Sequence, residues 1–146
     1  MDHNDLLPIG ALAQRTGLAV SAIRFYEARC LISAKRTGGN QRRFLRSDIR
    51  RLSIILIAQR LGLGLDEIEQ ALASLPQGRT PSQSEWQRAN RTLRGQLDAK
   101  IQLLNRARNN LDECIGCGCV SLSRCQLYNR DDRAGAAGPG PRYVLN

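Results

Sequence analysis

Apolar residues recur at helical spacing along most of the chain, and each run ends at a turn signal. In residues 7–17, Ile9, Leu12 and Ala13 share one helical face and Gly17 marks the stop. A second short helix is predicted to start near Ser21, with Ile23 and Phe25 towards the core and Arg24 and Tyr26 suited to phosphates or base edges. Two short helices joined by a tight glycine-bearing turn form a helix-turn-helix pattern. Gly38-Gly39-Asn40 then signals a hairpin, flanked by Lys35 and Arg36 on one side and Arg42 and Arg43 on the other. A basic hairpin in this position is a wing.

Ser47 is expected to cap a helix over 48–61 with Asp48 in its first turn, a buried stripe of Ile49, Leu52, Ile55 and Leu56, and an end at Gly62. A further helix over 65–75 shows Ile68, Leu72 and Leu75 on one face, and 76–84 reads as a connector. Residues 85–112 hold no proline and one glycine; Leu93, Leu97, Ile101, Leu104 and Leu111 step by 4, 4, 3 and 7. The resulting helix, roughly 40 Å at about 1.5 Å per residue, has a narrow apolar seam with no partner elsewhere in the chain. Such a seam pairs with a second copy. The predicted organisation is a DNA-binding domain over 1–75, a connector over 76–84, a dimerisation helix over 85–112, a metal-binding segment over 113–126 and an irregular, glycine- and proline-rich tail over 127–146.

Charge sharpens this picture. The net charge is +9, and residues 1–60 carry 11 Lys and Arg against 4 Asp and Glu, whereas the rest of the chain is nearly balanced. The N-terminal part is therefore the face for a polyanion. Aromatic residues are only 4% of the chain, which implies a modest aliphatic core. No apolar run is long enough for a membrane span, and Met1-Asp2-His3-Asn4-Asp5 lacks the features of a secretory signal.

The chemistry is concentrated in Cys114-Ile-Gly-Cys117-Gly-Cys119-Val-Ser-Leu-Ser-Arg-Cys125, spaced C-x2-C-x-C-x5-C. Four thiols in twelve residues can hold one metal centre, and Gly116 and Gly118 let the backbone turn tightly beside sulfur. The odd total of five cysteines fits a reducing compartment, the cytoplasm, better than a disulfide framework. Thiolates suit zinc and iron–sulfur clusters alike, and spacing alone does not separate them. A thiol oxidoreductase using Cys114 and Cys117 lacks the βαβ pattern such an enzyme needs. No enzyme activity is expected.

Ser21-Ala-Ile-Arg-Phe-Tyr-Glu27, then Gly39-Asn-Gln-Arg-Arg-Phe44, then a long helix, together resemble the MerR-family transcription regulators. The cysteine run resembles the redox-sensing branch of that family. The resemblance implies a mainly α fold: a winged helix-turn-helix DNA-binding domain, a long dimerisation helix forming an antiparallel coiled coil in the dimer, and a C-terminal iron–sulfur loop. It implies one [2Fe-2S] cluster per subunit on Cys114, Cys117, Cys119 and Cys125. It assigns DNA contacts to Ser21, Arg24 and Tyr26 on the recognition helix and to Arg36, Asn40, Gln41, Arg42 and Arg43 on the wing. The implied function is that of a homodimer on a palindromic element of double-stranded promoter DNA. It would activate transcription by RNA polymerase when redox-cycling compounds or superoxide oxidise the cluster, with no small-molecule substrate and no membrane. A DNA-binding regulator with structural zinc is the alternative. One departure is Cys30, where the family usually has glycine after the recognition helix.

Overall fold

A computed structural model describes residues 5–111 and 129–140. Strand β1 (Leu6–Pro8) leads directly into helix α1 (Ile9–Thr16), which is followed by α2 (Val20–Ala28), β2 (Lys35–Arg36), β3 (Arg42–Leu45), α3 (Asp48–Arg60), α4 (Leu65–Leu72) and α5 (Gln83–Asn109). The first compact unit runs to Gln96 and so takes in the connector and the first half of α5. The second unit holds the rest of α5, a 3-10 turn at Arg130–Asp132 and the short helix α6 (Arg133–Ala136), which give the tail more local order than its composition predicts.

Glycine and hydrogen bonding set the helix ends. Gly17 takes a left-handed conformation (φ 74°) and its N–H donates to the Ala13 carbonyl at 2.9 Å, ending α1 where the sequence places the stop. α2 ends in a full Schellman turn: the Cys30 N–H donates to Glu27 O and the Leu31 N–H to Tyr26 O, both at 3.0 Å. Cys30 occupies the left-handed position (φ 59°) usually given to glycine, so this chain keeps the turn and accepts its strain. Cys30→Gly is expected to raise stability by about 1 kcal/mol, read as a higher urea midpoint at unchanged slope. An equal or lower midpoint would contradict the strain.

β1 is the element that the pattern missed; the apolar period extends α1 back into it. Three residues are too short to show alternation, and the strand exists only because β3 pairs with it, Leu6 opposite Leu45 and Leu7 opposite Phe44. The sheet order is β1-β3-β2, with every pair antiparallel. Phe44, Leu12, Ile23, Ile32, Leu52, Ile55 and Ile68 are fully buried and join this small sheet to α1–α4. Each such side chain contributes about 1.5–3 kcal/mol.

Three expectations about packing are corrected. Phe25 is 49% exposed, and the inner position beside Ile23 belongs to Tyr26, three residues on along the helix. Ser47 does not cap α3 through its side chain; its Oγ is buried without a hydrogen-bond partner, and Asp48 Oδ2 instead accepts the Leu45 N–H at 3.1 Å. On α3, Leu52 and Ile55 are buried as expected, but Ile49 and Leu56 are only half-buried; Asp48, Arg51 and Ala58 complete the inner face. A buried ion pair on the core side hides that face from a purely apolar count. Arg51, 2% exposed, lies 3.7 Å from Asp48 and donates to the Leu31 carbonyl (3.4 Å) and the Pro76 carbonyl. One guanidinium thus ties α3 to the end of the α2 turn and to the segment leading into α5.

α4 closes at Leu72, three residues short of the predicted end, although Leu75 stays buried. α5 starts two residues early because Ser82 and Glu85 form a capping box: the Ser82 N–H donates to Glu85 Oε2 (2.8 Å) and the Glu85 N–H to Ser82 Oγ (3.3 Å). Arg79 grips the same carboxylate at 2.7 and 3.0 Å. These bonds hold the Glu85 carboxyl down at about 2, Arg79 contributing most.

Candidate nucleic-acid interface

α2 divides cleanly by period. Ile23 and Tyr26 face inward, while Ser21, Arg24, Phe25, Ala28 and Arg29 form the exposed stripe expected at i, i+3, i+4, i+7 and i+8. Ser21 and Arg24, two of the assigned DNA contacts, stand on this outer stripe. Tyr26, the third, lies beneath it, 6% exposed, with its hydroxyl donating to Gln59 Oε1 at 3.0 Å. It fixes α2 on α3. At the C-terminal end Arg29 is paired with Glu69 and, at 3.4 Å, with Asp66.

The wing forms as the Gly-Gly-Asn signal predicts, with one difference. The left-handed residue of the turn is Asn40 (φ 59°), while neither Gly38 nor Gly39 adopts a positive φ. The Asn40 N–H donates to Thr37 O at 2.8 Å and the Thr37 N–H to Gln41 O at 3.0 Å, a three-residue hairpin turn. Asparagine tolerates this conformation, and Arg36 holds its side-chain oxygen at 2.7 Å. Arg43 does the same for Gln41 Oε1 at 2.8 Å.

In the β2–β3 ladder Lys35 lies opposite Arg43 and Arg36 opposite Arg42. Like charges directly across a ladder destabilise a hairpin. A polyanion lying along the wing would relieve that repulsion. Arg42 also lies 3.7 Å from Glu27, a contact between wing and α2.

A second basic feature was not legible in the sequence. Arg15, Arg46 and Arg50 open onto a cavity of about 520 Å³ together with Ser47, Ile49, Thr80, Pro81 and Trp86. The Arg50 guanidinium sits 4.9 Å from the centre of the Trp86 ring. The lining brings together α1, the α3 N-terminus and the start of α5, which share no sequence motif. Net charge was the only hint. Trp86 itself is buried as a packing residue at the start of α5, as its position suggests.

The four clustered cysteines, Cys114, Cys117, Cys119 and Cys125, lie outside the described residues. Among the described residues, no group of three or more His, Cys, Asp or Glu is placed to hold a metal ion. Along the apolar seam expected to pair two copies, Leu93 and Leu97 are half-buried, whereas Ile101, Leu104 and Leu111 are exposed, at 54, 58 and 71%. No described helix is long and apolar enough to cross a membrane.

Two family models match: MerR HTH family regulatory protein over residues 7–75, and MerR, DNA binding, over residues 49–114. The chain is 51% identical over 140 residues to the HTH-type transcriptional activator SoxR homolog of Chromobacterium violaceum, covering 96% of this chain and 95% of that protein. It is 38% identical over 74 residues to the mercuric resistance operon regulatory protein of Pseudomonas fluorescens, covering 49% of this chain and 51% of that one. Among solved structures, a MerR family transcriptional regulator from Listeria monocytogenes shares the fold with a TM-score of 0.51 at 23% identity, covering 89% of this chain and 98% of that one.

Proposed function

Because the chain belongs to the MerR family of transcription regulators, we propose that it is a redox-sensing activator of the kind the SoxR homolog's name describes. It binds a palindromic promoter element as a homodimer. It activates transcription by RNA polymerase when its [2Fe-2S] cluster is oxidised by redox-cycling compounds or superoxide. The place of action is the cytoplasm.

The observation that carries the sensing half is the C-x2-C-x-C-x5-C run ahead of the tail, on a chain whose first 60 residues hold most of the net positive charge. Four thiolates are a suitable donor set for such a cluster, with Cys114, Cys117, Cys119 and Cys125 as its ligands. A bound [2Fe-2S] cluster would supply a one-electron change of charge without a change of ligands.

The chain's own residues would do the rest. Ser21 and Arg24 enter the major groove. Arg36, Arg42 and Arg43 lie along phosphates, with Asn40 and Gln41 shaping the turn that presents them, and Tyr26 holds the helix that carries the readout. Leu93, Leu97, Ile101, Leu104 and Leu111 pair the two copies, so that protein symmetry matches operator symmetry. A shift of a few kcal/mol between two dimer shapes is enough, since distorting a site of 20–30 base pairs costs roughly 1–6 kcal/mol.

Arg24→Ala is expected to weaken operator binding by about 1–3 kcal/mol if the guanidinium reads a base; unchanged affinity in a titration would remove it from the contact set. The proposal as a whole is tested by the visible spectrum of protein purified without oxygen, before and after dithionite. A brown protein that bleaches on reduction and recovers in air supports it. A colourless zinc protein, even after reconstitution with iron and sulfide, would leave the zinc-stabilised regulator.

A further inference from the structure

Phe25 is the one aromatic side chain on the outer stripe of α2, 49% exposed between Arg24 and Ala28. Single exposed apolar residues are common on protein surfaces and by themselves mean little. This ring differs in being held. Tyr26 meets it edge to face with ring centres 5.5 Å apart, and the Arg29 guanidinium lies 5.9 Å from its centre. Arg29 is in turn fixed by Glu69 and Asp66. These contacts restrict the ring, and a restricted side chain loses less entropy on binding.

The neighbours say what kind of contact. The ring shares its face with Ser21 and Arg24, and the lysine and arginines of the wing supply the charge for phosphates. On a base-pair edge in the major groove, the apolar substituent is the thymine 5-methyl group. We propose that Phe25 is a specificity-determining residue that packs on one thymine methyl in each half-site. This rests on α2 being the recognition helix. Ser21 and Arg24 would supply polar readout, and Phe25 would reject cytosine at a position where hydrogen bonding alone is permissive.

The test begins with selection of duplexes from a random library by the full-length dimer. Each thymine of the selected site is then replaced by deoxyuridine, which removes only the methyl group. Affinity should fall at one symmetric pair of thymines, about four-fold per half-site and roughly fifteen-fold for both, the value of one buried methyl group. Phe25→Ala should bind the unmodified site more weakly by a similar factor and show no further loss on the deoxyuridine duplex. Phe25→Leu should retain part of the discrimination, and both variants should unfold at the parent temperature. Specific binding indifferent to every deoxyuridine, or equal losses for parent and Phe25→Ala, would overturn the role of Phe25 while leaving α2 as the reader. Failure to enrich any sequence, or enrichment unaffected by Arg24→Ala and Phe25→Ala alike, would overturn the assignment of α2 and this inference with it.

Discussion

Alanine in place of any one of Cys114, Cys117, Cys119 or Cys125 is expected to give a colourless protein that still binds its operator but no longer activates transcription. Losing one of four thiolates would leave the proposed cluster short of a ligand, since such clusters are held by four cysteine thiolates. Affinity for DNA should remain within a few-fold of the parent, because on the proposed reading the binding energy would come from phosphate and base contacts in the first unit. The combination to measure is visible absorption, operator affinity and transcription in vitro on the same preparation. Loss of DNA binding in all four variants would mean that the cysteine segment builds the dimer itself, and a separable sensor would be ruled out. Retained colour in any one of them would remove that cysteine from the ligand set.

Arg51→Met should destabilise the first unit by about 3–5 kcal/mol at neutral pH, the range for breaking one partner out of a buried ion pair. Methionine nearly fills the volume, so the loss is electrostatic and not a cavity effect. Asp48 would lose its counter-charge while staying buried, and the Leu31 and Pro76 carbonyls would lose a donor. The pH dependence separates these contributions. Burial pushes the Asp48 carboxyl up to about 6, against the opposing pull of Arg51 and the Leu45 N–H. A carboxyl raised above its ordinary value near 3.8 favours folding while protonated. Its contribution is complete below that value and is lost as pH rises through about 6. Without Arg51 the carboxyl rises further. The deficit of the variant should therefore grow from pH 5 to pH 8 and shrink towards pH 4, where only the lost carbonyl bonds remain. A deficit independent of pH would show that Asp48 is not charged beside Arg51. Asp48→Asn added to Arg51→Met should recover part of the loss at neutral pH, and no recovery would indicate that the carbonyl bonds account for the effect.

Several helix ends were legible because their signals are local. Gly17 stops α1 through its own φ, the Gly-Gly-Asn run turns the wing, and the spacing of Ile68 and Leu72 defines the face of α4 without reference to any other segment. The start of α5 was missed although Ser82-Gln83-Ser84-Glu85 is a readable capping box, because Pro81 and the polar run before it read as connector. β1 left no such trace. Its three residues become a strand through pairing with residues nearly forty positions later. The exchange of Phe25 and Tyr26 is of another kind: the period that turns Ile23 inward also turns Tyr26 inward, three residues on, and leaves Phe25 outside, with Gln59 on α3 accepting the Tyr26 hydroxyl.

Residue order alone determined the chemistry of this protein: a cysteine run that can be read without a fold, a basic N-terminal half, and a long helix with an apolar seam. These follow from composition and period, which are properties of neighbours along the chain. The tertiary structure decided which cations act together. Arg15, Arg46 and Arg50 come from α1, the turn before α3 and α3 itself, and share a cavity with Trp86 only because α1 packs on α3 and the start of α5 folds back beside them. Arg51, the neighbour of Arg50 in sequence, points the other way and is buried against Asp48. Adjacent positions on a helix differ by about 100°, so one arginine faces an open cavity and the next joins the core.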